Sequence, residues 1–205
     1  MKTILEYLST KVVPTKIKAT NKTIHKIVKD ELDRLGHDAD LNHIDVSEVS
    51  RMNGLFGCDI DFYLGTRFAD LNPDISNWDV SNVEDMYHMF WRCKKFNKDI
   101  SKWNVCKAKD MGAMFYECDK FNQDLSWWNV SKVKNMAYMF EYCENFNQDL
   151  SRWDVGKVED MYAMFNGCIN FNQDLSQWNV SKVEEYENIF ENCPIKEEYK
   201  PKFNI

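Results

Sequence analysis

The chain contains little of what catalytic, phosphate-binding and metal-binding sites usually require. Its 205 residues include only seven glycines and four histidines. The sequence has no glycine-rich phosphate loop and no Gly-x-Ser-x-Gly motif, and its histidines do not have the spacing of metal ligands. The sequence therefore predicts a protein that is not an enzyme and that binds neither a metal ion nor a cofactor.

Long apolar runs and an excess of positive charge are also lacking. No run approaches the roughly 18 apolar residues of a membrane helix, and residues 1–8 include Glu6 and lack the apolar stretch of a signal peptide. The net charge of −7 disfavours nucleic acid and anionic lipid as partners. We therefore expect a cytoplasmic protein with no membrane insertion and no nucleic-acid partner.

What the chain has instead is an internal repeat of 25 residues. The repeat aligns five units on three unbroken columns of Trp, Phe and Cys, with Val and Met columns between them. The columns are Trp78, Trp103, Trp128, Trp153 and Trp178; Phe90, Phe115, Phe140, Phe165 and Phe190; and Cys93, Cys118, Cys143, Cys168 and Cys193. A period of this length indicates stacked supersecondary units.

A degenerate sixth unit precedes these five. Residues 44–56 match residues 78–90 at an offset of 34, which is nine more than the period of 25. The difference places an insertion near residues 59–68. The tail, residues 194–205, lacks the pattern and is either the remnant of a cap or a loose end.

Each unit is predicted to combine a short strand with a short helix. Residues 76–80 read as a strand with one buried side, because their Trp and Val are two positions apart. Ser81 and Glu84 form a capping box, and the three- and four-residue apolar spacing over residues 83–93 predicts a helix. Residues 94–99 should return the chain through an Asx turn.

Stacking such units should produce a curved molecule. Strands stack at about 4.8 Å and helices at about 8–10 Å, so the strands would line the concave side. The short helix could equally be a 3-10 turn, and the curvature would then be weaker. Residues 23–35 predict an amphipathic helix that ends at Gly36 and covers the open end of the stack. The cysteine column should consist of buried thiols, because helices in adjacent units lie too far apart for disulfides.

The repeat also resembles a known family. The string Phe-Asn-Gln-Asp-Leu-Ser-x-Trp-Asn-Val-Ser-Lys-Val-x-x-Met-x-x-Met-Phe-x-x-Cys is similar to the BspA-like, mycoplasma-lipoprotein-type surface-protein repeat, a relative of leucine-rich repeats and a domain of unknown function. The resemblance covers residues 41–193. It implies a repeat scaffold for protein binding or adhesion, often at the cell surface.

Together, these observations predict an α/β repeat solenoid. We expect a leucine-rich-repeat-like, right-handed stack of about six 25-residue strand–short-helix units with an N-terminal capping helix. Residues 1–40 would form the cap, residues 41–193 the repeats and residues 194–205 the tail.

A partner-binding site is expected where the units differ on the concave strand face. The predicted contact residues are Lys102, Trp127, Arg152, Asn104, Asn129 and Asp154. Trp127 lies out of register with the buried tryptophans, and an exposed aromatic among polar groups is typical of protein contacts. Two alternatives stay open: Trp127 is partly covered by its neighbours, or the Asp/Asn column only binds backbone amides.

A second candidate surface lies on the outer side of the units. It comprises Tyr87, Trp91, Tyr116, Tyr138, Tyr142 and Tyr162. If these aromatics cluster, they suit a partner or self-association; if they are scattered, they need no function.

One acidic column has two readings. Asp74, Asp99, Asp124, Asp149 and Asp174 recur at the period of the repeat. Either turn amides satisfy each carboxylate, or a cation such as Ca²⁺ lies between units; turn bonding is the expected case.

The sequence thus predicts a non-enzymatic scaffold that binds a protein partner through its concave strand face. The alternative is a structural, self-assembling or surface-adhesion element that uses the outer aromatics.

Overall fold

The computed structural model describes residues 16–57 and 69–203. Its regular elements are β1 (Ile17–Lys18), α1 (Ile24–Leu35), β2 (Ile44–Asp45) and a 3-10 helix (Glu197–Tyr199). β1 and β2 pair in parallel, with Ile17 opposite Ile44. The insertion expected near residues 59–68, the first 15 residues of the expected cap and the last two residues of the tail lie outside the described residues.

The predicted amphipathic helix is confirmed as α1. Ile24, Val28 and Leu32 are buried on one face. Gly36, with a φ of 92°, ends the helix, and its N–H donates a hydrogen bond to the Leu32 carbonyl. Leu35 continues the same three- and four-residue spacing, but 43% of its surface is exposed. Helix α1 therefore buries an apolar stripe against the repeats that ends one turn earlier than the sequence indicates.

Successive units lie side by side in the register of the repeat. Isolated parallel β-bridges link the same position of neighbouring units: Arg51 with Asp85, Asp85 with Asp110, Asp110 with Asn135, Asn135 with Asp160, and Asp160 with Glu185. Each step between the five full units is 25 residues. The first bridge shows that the degenerate sixth unit, around Arg51, belongs to the same stack.

Every second amide after the bridge donates to the following unit. The amides of Met86, His88, Phe90 and Arg92 bond the carbonyls of Asp110, Gly112, Met114 and Tyr116 at 2.7–3.0 Å. The amides between them close turns within their own unit, as Met89 does with the carbonyl of Met86. Along this segment alternate N–H groups of one unit therefore face alternate C=O groups of the following unit.

The predicted strand–short-helix unit is wrong in both parts. Residues 76–80 carry no β-bridge, and residues 83–93 form turns rather than a helix. His88 and Arg92 have φ values of 57° and 63°, a left-handed conformation that a right-handed helix does not contain. The three-residue apolar spacing comes from consecutive i→i+3 turns. Because no helix separates the units, the reason for expecting curvature and a concave strand face is absent.

The core consists of aromatic columns that run through the stack. The ring centroids of Phe90 and Phe115 are 5.5 Å apart and those of Phe115 and Phe140 are 5.7 Å apart. Trp103 and Trp128 stack at 6.4 Å. The indole N–H of Trp128 also donates to the Ile100 carbonyl of the preceding unit at 3.2 Å, which satisfies its buried polar atom.

The prediction of buried thiols is confirmed. The six described cysteines form no disulfide, and four of the five in the column are buried. Each thiol lies near a main-chain carbonyl of the preceding unit, as Cys118 does at 3.0 Å from the Phe90 oxygen. Cys193, in the last unit, is only partly buried.

Candidate functional site

Trp127 is the most exposed large apolar side chain on the predicted partner surface. About 75% of its surface is accessible, whereas the adjacent Trp128 is 3% exposed. Trp127 is the third residue of a turn that is closed by the hydrogen bond from the Trp128 amide to the Leu125 carbonyl at 3.0 Å. The first tryptophan therefore lies on the exposed turn, while the second enters the core. Neighbouring side chains therefore cover only a small part of Trp127.

Arg152 orders the exposed indole. Its guanidinium carbon lies 4.6 Å from the centre of the Trp127 ring, within the range of a cation–π contact. Trp127 and Arg152 occupy the same column in adjacent units, so the register of the stack brings them together. We call Lys102, Trp127 and Arg152, with Asn104, Asn129 and Asp154, the Trp127 face.

Two shallow depressions flank the Trp127 ring. The first has a volume of about 320 Å³ and is lined by Asp124, Ser126, Trp127, Gln148, Asp149 and Arg152. The second has a volume of about 290 Å³ and is lined by Ser126, Trp127, Trp128, Asn129, Val130, Arg152 and Asp154. Four predicted contact residues therefore meet at one place. Lys102 and Asn104 are exposed but line neither depression.

The Asp/Asn column of this face also has a structural role. Asn129 Oδ1 accepts the Ser131 amide at 3.2 Å, and Asp154 Oδ1 accepts the Gly156 amide at 3.1 Å. Asn104 makes the same Asx turn with Cys106. The backbone-binding alternative is thus correct for the Oδ1 atoms of these side chains.

The acidic column is held by turns, as expected. Each carboxylate accepts the amide two residues later at 2.8–3.0 Å. Hydrogen bonds from Ser76 lower the pKa of Asp74, and those from Ser101 lower the pKa of Asp99. Among residues 16–57 and 69–203, no three His, Cys, Asp or Glu side chains converge as ligands of a metal ion.

The outer aromatics form two groups of touching rings. Trp91 lies 5.9 Å from Tyr116, which meets Tyr142 edge-on at 6.1 Å. Tyr138 and Tyr162 lie 5.2 Å apart. The scattered-aromatics alternative is therefore wrong for these five residues.

Small residues in the same columns make room for the outer rings. A Cβ on Gly112 would lie 3.0 Å from the Tyr87 ring, and one on Gly167 would lie 2.4 Å from the Tyr142 ring. Each glycine occupies the same column as the ring, one unit later, so these two rings pack over a gap in the next unit. Both pairs are visible in the aligned sequence.

Sequence reasoning missed a buried carboxylate within the outer surface. Glu141 is only 7% exposed and accepts a hydrogen bond from Asn166 Nδ2 at 2.8 Å. Burial raises the pKa of Glu141, and the neighbouring Glu117 adds to the effect. The signal available was a Glu at a position where the first two units carry Trp91 and Tyr116.

The buried cysteines have raised thiol pKa values, which do not suit a nucleophile. Burial raises the pKa of the Cys118, Cys143 and Cys168 thiols. The thiol form therefore dominates at neutral pH, and the thiolate is the form that reacts. These side chains serve packing.

The comparisons with known proteins give one match. A family model described as "Mycoplasma protein of unknown function, DUF285" matches residues 32–126 and 106–201. The two overlapping matches together span residues 32–201, which is most of the chain. No curated protein and no solved structure matches the chain. No helix among the described residues has the length and apolar character needed to cross a bilayer.

Proposed function

The chain belongs to this mycoplasma-type family of unknown function, and from that premise we propose that it is a non-enzymatic repeat scaffold that binds a protein partner through the Trp127 face. The observation that carries the proposal is an indole that is 75% exposed and stacked by Arg152. Trp and Arg are the residue types most enriched among interface hot spots. The shape proposed for the scaffold is a leucine-rich-repeat-like solenoid of the BspA-like type.

The electrostatics of the Trp127 face favour a polypeptide with mixed polar groups. Arg152 lies beside Trp127, while Asp149 and Asp154 line the two depressions on either side of the ring. A partner could insert an apolar side chain beside the indole and pair its own charges at the rim. Such an arrangement of a central aromatic and a polar rim is common in protein interfaces.

Site-specific photo-crosslinking tests this proposal. A benzoylphenylalanine at position 127 should capture a discrete partner from the native source, and Arg152→Ala should weaken that capture. The matched control places the same crosslinker at position 169, because Ile169 is also well exposed, at 55%, and lies off the Trp127 face. Equal capture from both positions, or none from position 127, would refute the proposal.

A second candidate function is self-assembly through the outer aromatics. The ring contacts that join Trp91, Tyr116 and Tyr142 favour it, because contiguous aromatic surface supports association. Light scattering at protein concentrations from about 10 μM to about 1 mM tests it, because this range covers the dissociation constants of weak association. Tyr142→Ser should lower the apparent mass of any oligomer, and a strict monomer over the whole range rules the candidate out.

A further inference from the structure

The last unit of the stack ends in a row of backbone donors. The amides of Tyr186, Asn188, Phe190 and Asn192 stand where inner units bond their successor, and they have no hydrogen-bond acceptor among the described residues. Asn188 and Asn192 are exposed, and Tyr186 and Phe190 are partly buried. We call these four amides the donor edge. An unpaired edge of this kind is a template for pairing with another chain.

The described part of the tail packs against the last unit without satisfying the donor edge. The Tyr199 carbonyl accepts the Leu175 amide at 2.9 Å, and the Phe203 ring stacks on Tyr186 at 4.3 Å. These contacts show that the tail acts as a partial cap rather than a loose end. They cover the aromatic side of the unit, and no described residue of the tail supplies an acceptor to the four N–H groups.

The donor edge requires a partner with carbonyls on one side. An ordinary β-strand presents both N–H and C=O groups along each edge. Some of its own N–H groups would therefore lie opposite the N–H groups of the donor edge. A repeat unit of the present kind supplies the right pattern. The carbonyls of Asp110, Gly112, Met114 and Tyr116 all point back to the preceding unit, at alternate residues.

A second copy of this chain does not fit the donor edge. Two donor edges placed face to face would oppose N–H to N–H. The acceptor end of the stack is covered by the cap: Ile24 and Val28 of α1 are buried against the first unit, and the His25 ring nitrogen bonds the Asn53 carbonyl at 3.0 Å. The occupant must therefore be another polypeptide with an uncapped acceptor end.

The charges of the last unit indicate one side chain that the occupant should carry. In the column beside the bridges, Lys109 pairs with Glu84 and Lys134 pairs with Glu159, each at 2.7 Å. Glu184, the last residue of the column, has no cationic partner among the described residues. The last unit, residues 176–193, contains four glutamates and one lysine. A basic residue opposite Glu184 would complete the column.

We propose that the donor edge binds a repeat unit of this same 25-residue type, carried by another polypeptide and bearing a Lys or Arg opposite Glu184. The pairing adds one more step of the contact that already joins the inner units. It is independent of the Trp127 face, whose residues all lie in units that precede the last one.

The test uses the full chain and a synthetic peptide of residues 101–150, which supplies two consecutive units with Lys109 placed to meet Glu184. Amide exchange is followed by NMR on the isotope-labelled chain. The peptide should slow exchange at residues 186, 188, 190 and 192 at least tenfold, while signals near Trp127 stay unchanged. Absence of this protection at saturating peptide overturns the proposal.

A charge exchange makes the register testable. Glu184→Lys should weaken peptide binding roughly fivefold, the scale of an exposed ion pair, and Lys109→Glu in the peptide should restore it. Glu198→Lys, on the exposed 3-10 helix, is the matched control and should change nothing. Failure of the restoring combination, or protection of the donor edge by raising the concentration of the chain alone, would contradict the proposed occupant.

Discussion

At its amino-terminal end the stack is closed by α1, whereas at its carboxyl end four amides have no acceptor among the described residues. Ile24 and Val28 are at most 1% exposed against the first unit, but Val183 and Phe190 in the last unit are only partly buried. The same repeat thus gives different local environments at its two ends. A unit of this kind completes its core and its hydrogen bonds only when a neighbour or a cap covers each side.

The largest expected effect compares the same column in the middle and at the end. Phe140→Ala should lower the free energy of unfolding by about 3–5 kcal/mol, because the ring is fully buried between two others. Phe190→Ala should cost about half as much, since Phe190 has a stacked neighbour, Phe165, on one side only. Urea denaturation of both variants measures the difference. Equal losses would show that the end unit is as well packed as the middle.

Removing the polar part of the amino-terminal cap should have a smaller effect. Asn21 Oδ1 accepts the Ser50 and Arg51 amides at 2.9 and 3.1 Å. Asn21→Ala leaves both donors to solvent and should cost about 1–2 kcal/mol. The neighbouring Lys22→Ala serves as the control. If Asn21→Ala is as mild as the control in thermal unfolding, the cap is held by α1 packing alone.

Glu141→Gln should stabilise the protein at neutral pH. Because the folded-state pKa of Glu141 is raised, its ionisation works against folding as the pH rises above the unfolded value. The amide keeps the oxygen that accepts the Asn166 bond. We expect Tm to rise by roughly 2–4 °C at pH 7, or about 1 kcal/mol for a protein of this size. The gain should shrink as the pH falls below the unfolded pKa, and a gain that is the same at all pH values would contradict the electrostatic cause.

The acidic column should behave in the opposite way. The pKa values of Asp74, Asp99, Asp149 and Asp174 are lowered by hydrogen bonds to turn amides and hydroxyls. Their stabilisation is present above the unfolded pKa and is lost as the pH falls through the lowered folded values. Acid unfolding should therefore begin below about pH 4, near the unfolded pKa of Asp. Addition of chelator at pH 7 should leave Tm unchanged; a fall of several degrees would indicate a bound cation.

Replacing the exposed indole should have the smallest effect on stability. Trp127→Ala removes a side chain that makes its main contact with Arg152. Exposed substitutions of this kind usually change stability by less than about 0.5 kcal/mol. Thermal unfolding checks this expectation, with Trp128→Ala as the buried comparison in the same segment. A large loss from Trp127→Ala would assign it to the fold rather than to partner binding.

The aligned columns predict well which residues are buried. An apolar side chain that recurs at the period of the repeat packs in the core whatever the local backbone conformation is. Trp78, Phe90 and Cys118 are all buried, as their columns indicate. The secondary structure is not predicted, because an apolar spacing of three residues fits both a helix and a series of turns. The left-handed positions carry His88 and Arg92 in one unit, residue types that give no warning. In later units the same columns contain Gly167 and Asn192, which favour that conformation.

The candidate site is predicted in part. The exposure of Trp127 could be predicted because Trp127 lies one residue before Trp128, which belongs to the buried tryptophan column. Its contact with Arg152 depends on the lateral register of two units and on the rotamers of both side chains, which a single sequence does not specify. The buried position of Glu141 similarly depends on the outer rings of neighbouring units.

Amide hydrogen exchange in the native state tests the stacking register most directly. If alternate amides bond the following unit, those of Met111, Ala113 and Phe115 should exchange slowly, whereas those of Asn188 and Phe190, at equivalent positions in the last unit, should exchange at least tenfold faster. The contrast should hold at low protein concentration, where the donor edge is empty. Equal protection at both ends, or fast exchange at the inner positions, would contradict the 25-residue parallel register.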